Sequence, residues 1–210
     1  LMSANLLSAM RTGAVSGVGA RHFARPDSRV AGVIGPGVMG RTSLAAMAAV
    51  LPGLDTVQVR GRGAASLEEF TAWVRAELPR IREVRVVDSV EAAVRGADVV
   101  AYCATAKAGE VDRYPMLERE WLKPGAFVTM PAPANIDEPL EHADVRKVVD
   151  SYGLYEAWAI DAPPPTHQYV GIIGCKFLDL VAEGKVRRWE IEELGPVVTG
   201  EADGRRDDDE

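Results

Sequence analysis

Six residues, Gly35-Pro36-Gly37-Val38-Met39-Gly40, have the types and spacing of a phosphate cradle. They follow an apolar run at 29–34 and precede a helix-forming stretch at 38–50. In a strand, turn and helix of this kind, the first glycine permits the turn. The second lets backbone approach a pyrophosphate, and the third lets helix and strand pack closely. The phosphates would rest on free N–H groups at the positive end of the helix. Pro36 has no N–H, so Val38 and Met39 are the candidate donors. The competing reading is a glycine turn in an α/β domain with no ligand.

A second group of residues bears on which dinucleotide would fit. An acid that holds the ribose hydroxyls of NAD normally closes the second strand, about 20 residues past the first glycine. Here the second predicted strand closes as Val59-Arg60-Gly61-Arg62-Gly63, and Asp55 lies at its other end. Two arginines in place of the acid favour a 2′-phosphate, hence NADP(H) over NAD(H). The alternative is that Arg60 and Arg62 solvate a loop. Cys103, Ala104 and Thr105 end a predicted fourth strand, where such sheets bind ligands. Their small side chains would let a nicotinamide ribose approach.

These residues need a scaffold, and the sequence predicts one. A helix spans 5–24, and its small residues Ala14, Gly17, Gly19 and Ala20 point to close backbone packing. Strands are predicted at 29–34, 56–60, 83–87, 99–103, 126–130 and 147–150. Helices are predicted at 38–50, 66–78 and 89–95. Ser66 and Glu69 have capping-box spacing, and Asp98 should cap or pair at the far end of its strand. This alternation predicts an α/β fold, a doubly wound Rossmann-type parallel sheet with a preceding helix. The divisions are a leading helix at 1–28, a dinucleotide-binding domain at 29–200 and an acidic connection at 201–210. Beyond 150, helices are predicted at 152–160 and 175–183, with a last helical turn at 189–194.

Composition narrows the partners. The 210 residues are 47% hydrophobic and 26% charged, which suits a folded domain with a real core. The net charge of −7 and the lack of a basic stripe argue against nucleic acid. Apolar runs are short and broken, so no membrane span is expected, and no signal peptide is legible. Cys103 and Cys175 lack metal-ligand spacing and read as reduced core residues of a cytoplasmic protein. No metal site is expected. His22, His142 and His167 show no triad or metal spacing, and only His167 could line the crevice.

The chain resembles the ornithine cyclodeaminase/mu-crystallin family over nearly its whole length. Arg11-Thr12-Gly13-Ala14-Val15-Ser16 is similar to the family's R-T-[AG]-A-x-S helix segment. Val86 to Val100 is similar to its strand, helix and R-G-A-D stretch, and Trp121-Leu122-Lys123-Pro124-Gly125 to its W-[LV]-K-P-G. Leu194-Gly195, Gly200, Gly204-Arg205 and Asp208-Asp209-Glu210 look like the lead-in to its last strand. The segments 2–14 and 153–158 look closest to a bacterial branch that carries the ornithine cyclodeaminase or tyramine oxidase names.

The resemblance implies a cofactor domain, with an N-terminal dimerisation and substrate domain and a last strand and helix lying outside these residues. It implies a homodimer for the full-length protein. It also implies Arg11 as clamp for a substrate carboxylate, a role guanidinium chemistry suits, with Thr12 assisting beside the cofactor. An exposed helix arginine is the plain alternative. One departure stands out. Near the family's catalytic aspartate this chain has Ala134, and Asp137 comes three residues later. Asp137 is the candidate base, but a base must reach its proton, and a loop or helix-capping carboxylate is the competing role. The implied function is NAD(P)-dependent oxidation, reduction or cyclodeamination of a small amino or imino acid. The alternative is an NADPH-binding protein without catalysis, as in mu-crystallin-type proteins.

Overall fold

The computed structural model describes residues 4–107, 109–141 and 145–206. His142 and the acidic Asp207-Asp208-Asp209-Glu210 end lie outside the described residues. Helix α1 (Asn5–Phe23) leads into β1 (Val30–Ile34), α2 (Val38–Val50), β2 (Thr56–Arg60), α3 (Ala64–Glu77), β3 (Glu83–Val86), α4 (Val90–Val94) and β4 (Val99–Tyr102). Next come β5 (Met116–Leu117), β6 (Phe127–Thr129), β7 (Asn135–Ile136) and β8 (Lys147–Val149). The chain continues with α5 (Tyr152–Asp161), α6 (His167–Val170), α7 (Ile173–Ala182), β9 (Ile191–Glu193) and α8 (Leu194–Thr199).

The main sheet is parallel, in the order β3-β2-β1-β4-β6. Connections run outward from β1 in opposite directions, so the order reverses between β1 and β4. Ligands of open α/β sheets bind beyond the carboxyl ends of the strands at such a switch point. Successive strand residues face opposite sides, and both sides are covered. Ala31, Val33, Val57, Val59, Val99 and Ala101 meet Leu44, Met47, Phe70 and Val74 on one face. Ile34, Val100 and Tyr102 meet Ala93, Val94 and Ala97 on the other. The doubly wound reading therefore holds.

Helix α1 packs on α2 through small residues. A Cβ at Gly13 would lie 2.6 Å from the Thr42 backbone, and one at Gly17 would lie 2.8 Å from Ala46 Cβ. Thr42 Oγ1 donates to Ala9 O at 2.9 Å, locking the two helices at the same level.

Three expectations need correction. The strand at 147–150 does not join the main sheet: β8 pairs with β9 in a separate parallel pair. That pair has its own core, with Val149, Tyr155, Leu180 and Ile191. Residues 191–193 are accordingly a strand rather than a helical turn, because pairing with β8 is worth more than the weak local helical pattern. The capping box fails as well. Helix α3 starts two residues earlier, with Gly63 as N-cap, so the Ser66 hydroxyl donates back to Gly63 O at 2.8 Å inside the first turn.

Asp98 does anchor the far end of β4. Its Oδ2 accepts from the N–H groups of Arg29 (2.8 Å) and Val30 (2.9 Å), and Lys123 pairs with Oδ1. Burial opposes the charge, but Lys123 and the two N–H groups outweigh it and hold the carboxyl below its ordinary value. A lowered folded-state pKa stabilises the fold above the unfolded value of about 4 and loses that contribution as pH falls through the folded value. Acid unfolding of Asp98→Asn should therefore show a flatter pH dependence below about pH 4 than wild type, measured by thermal melts from pH 6 downward.

Candidate active site

The turn between β1 and α2 has the shape its glycines demand. Gly35 has φ +100°, in the region only glycine adopts readily, and a Cβ there would lie 2.6 Å from Ala104 N and Cys103 O. A Cβ at Gly40 would sit inside the contact radius of Gly35 O, so α2 can start this close to β1 only with glycine. A Cβ at Gly37 would meet nothing within 4 Å. Gly37 thus borders open space at the N-terminus of a 13-residue helix, where Val38 and Met39 carry first-turn N–H groups without intrahelical acceptors. Open space over one glycine and tight packing at the other two fit a pyrophosphate seat. Val38 is 55% exposed, while Met39 packs against the core.

The β2 and β4 ends flank this turn. Gly61 packs against the Pro36 ring, at 2.8 Å for a Cβ there. Arg62 Nη2 donates to Thr105 O at 3.0 Å, bridging the two loops across the mouth. Arg60 bonds the Gly61 carbonyl. Asp55 pairs with Arg29 at the opposite end of β2, away from the crevice. Ala104 and Thr105 line the rim, whereas Cys103 is buried. Burial pushes the Cys103 thiol up to about 12, the Ser43 hydroxyl only partly offsetting it, so it stays protonated.

Beside the crevice lies a cleft of about 940 Å³ between α1, β6, β8 and α5. Its foot is tied together. Arg205 Nη1 donates to Phe23 O (2.9 Å) and Gly125 O (3.2 Å), and Arg146 Nη2 donates to Asp203 O at 2.7 Å. Residues 201–206 are thus pinned against the end of α1 and the starts of β6 and β8. Arg11 lies about 18 Å up the helix from Phe23, at 1.5 Å per residue, and so belongs to the head of the cleft. Thr12 lines the same wall. Arg11 is exposed, and no hydrogen bond or ion pair among the described residues engages it.

Asp137 lines the cleft too, but its oxygens are occupied. Oδ2 accepts from Arg119 N at 3.0 Å and Oδ1 from Leu140 N at 3.3 Å, where it caps the short turn at 138–141. His167 does not reach the cleft. It is buried, with Nε2 3.0 Å from Ala134 O, and burial holds its pKa low. Sequence reasoning missed a hydroxyl cluster: Ser16 Oγ lies 3.1 Å from Thr129 Oγ1 and 3.4 Å from Ser43 Oγ. It joins α1, β6 and α2 below Arg11. The serine at the end of the R-T-G-A-x-S segment was its only sequence signal. The described residues contain no cluster of three or more acidic, histidine or cysteine side chains able to hold a metal.

The family model for "Ornithine cyclodeaminase/mu-crystallin family" matches residues 1–210. The chain belongs to that family. Among curated relatives, N-((2S)-2-amino-2-carboxyethyl)-L-glutamate dehydrogenase of Staphylococcus aureus is 29% identical over 100% of this chain and 56% of its own length. Delta(1)-pyrroline-2-carboxylate reductase of Paracoccus denitrificans is 29% identical over 81% of this chain and 49% of its own. Among solved structures, the Thermococcus litoralis Delta(1)-pyrroline-2-carboxylate reductase in complex with NADH and L-proline superposes with a TM-score of 0.77 at 26% identity. It covers 99% of this chain and 58% of that one. The chain thus spans about half the length of the relatives it matches. No helix among the described residues is long and apolar enough to cross a membrane.

Proposed function

We propose that this cyclodeaminase/mu-crystallin family chain is the cofactor-binding part of an NAD(P)-dependent enzyme that oxidises, reduces or cyclises a small amino or cyclic imino acid. The observation that carries the reading is the glycine cradle, open at Gly37 and closed at Gly35 and Gly40, beside a cleft into which the unengaged Arg11 opens. A relative of this chain holds NADH and L-proline, which supports the same pair of ligands here. Val38 and Met39 would take the pyrophosphate, Ala104 and Thr105 would border the nicotinamide ribose, and Arg11 would hold the substrate carboxylate with two parallel bonds. The bound nicotinamide supplies the hydride acceptor or donor. In this reading the enzyme is cytoplasmic and works as a homodimer.

NADP(H) is the favoured cofactor. Arg60 and Arg62 close β2 where an acid would hold the ribose of NAD, and each has donors left for a 2′-phosphate after its one carbonyl contact. Titration with NADPH and NADH separately tests this. Arg60→Ala and Arg62→Ala should each weaken NADPH about tenfold or more, the worth of a charge-assisted bond, and NADH much less. Equal losses for both cofactors would refute the phosphate role.

A second reading, NADPH binding without turnover, is favoured by Asp137, whose two oxygens are taken by backbone N–H groups. It expects tight NADPH binding and no hydride transfer with any of a panel of amino acids and cyclic imines.

A further inference from the structure

A second aspartate borders the cleft. Asp150 follows directly on β8, lines the cleft and is exposed. Arg146, just before β8, is tied to the foot of the cleft, and Asp150 lies about 13 Å further along the extended strand. Arg11 lies up α1 from the foot held by Phe23. A carboxylate and an unengaged guanidinium thus both line one cleft.

Asp150 is aimed. Tyr155 OH donates to its Oδ1 at 2.7 Å, and no other bond or ion pair among the described residues engages it, so Oδ2 is left open. The Tyr155 ring is 8% exposed and fills the place where any side chain at residue 174 would stand, so Gly174 gives it a fixed seat. Burial and the neighbouring Asp150 push the phenol pKa up. Tyr155 thus keeps its proton and donates it to Asp150 Oδ1.

The other acids of the cleft are less suited. Asp137 is taken by backbone N–H groups, and Glu120 pairs with Arg95. Glu118 is unengaged among the described residues but stands on a loop with no group to aim it.

We propose that Asp150 is the carboxylate that receives the cationic nitrogen of the amino- or imino-acid substrate, facing Arg11, with Tyr155 as its positioning residue. The substrate is then held at both ends of its zwitterion, a carboxylate on guanidinium and a nitrogen cation on carboxylate. This assignment rests on the proposed amino-acid function and adds the partner for the nitrogen.

The test is calorimetric titration of the protein, saturated with NADPH, by L-proline, L-alanine and L-ornithine in turn. Asp150→Asn should weaken whichever of these binds wild type by tenfold or more, while NADPH affinity and melting temperature stay within error. Asp150→Glu should restore part of the loss. Tyr155→Phe should weaken the amino acid several-fold and leave NADPH unchanged. Unchanged amino-acid affinity in Asp150→Asn overturns the assignment, as does a loss confined to Glu118→Gln. NADPH uptake with no binding of any of the three amino acids to wild type overturns it too, leaving the cofactor reading intact. Failure to take up NADH or NADPH sinks the functional reading itself.

Discussion

Gly37→Ala should leave the fold intact and abolish dinucleotide binding, whereas Gly40→Ala should unfold or severely destabilise the protein. The two glycines differ in what surrounds them. A methyl at Gly37 points into open space, and the backbone there is extended at φ −70°, so an alanine fits without strain. It would occupy the position a pyrophosphate needs, within contact of the Val38 and Met39 donors. We expect a loss of NADPH affinity of at least a hundredfold, about 3 kcal/mol or more, with a melting temperature within about a degree or two of wild type. A methyl at Gly40 would overlap Gly35 O and press on Val33 Cγ1 at 3.2 Å. Neither the strand nor the helix can yield without disturbing the face built by Val33, Leu44 and Met47, so overpacking should cost about 3 kcal/mol or more. Thermal melts and fluorescence titration on the same two variants separate the outcomes. If Gly37→Ala bound NADPH as wild type does, the turn would be a structural glycine turn and no more.

Arg11→Ala should weaken binding of the substrate carboxylate about ten- to a hundredfold while sparing cofactor and fold. The side chain is exposed and makes no bond or ion pair among the described residues, so its removal breaks no structural contact. A bidentate guanidinium–carboxylate pair is worth roughly 1.5–3 kcal/mol as charged hydrogen bonds, about ten- to a hundredfold. The expected result is a fall of that size in amino-acid affinity or kcat/KM, with NADPH affinity changed less than threefold. Arg11→Lys should recover only part, because an ammonium is a point charge and cannot reproduce the planar fork. A parallel loss of NADPH would move Arg11 to the phosphates instead.

Which parts of this protein were legible in its sequence follows from how local each signal is. The strand, glycine turn and helix at 30–50 announce themselves within twenty residues, because turn geometry and phosphate access both depend on residues at fixed offsets. The Arg11 segment was legible through its motif, and the small residues of α1 correctly foretold close packing on α2. Ser66 and Glu69 misled for the same reason. Their spacing is local, but α3 begins before them, with Gly63 as its N-cap.

The sequence by itself determined the strand, glycine turn and helix at 30–50, the arginines at the end of β2 and the alternation that makes a doubly wound sheet, since each needs only short-range patterns of glycine, charge and hydrophobicity. Only the tertiary structure decided that β8 leaves the main sheet for β9, some forty residues on. It alone shows that the Arg119 N–H, from a distant segment, engages Asp137 beside the local Leu140 N–H, and that Arg205 and Arg146 tie the foot of the cleft that Arg11 and Asp150 both line. The physical reason is range. A strand's partner and a carboxylate's free oxygen depend on which groups arrive from distant parts of the chain, and no local spacing encodes that arrival.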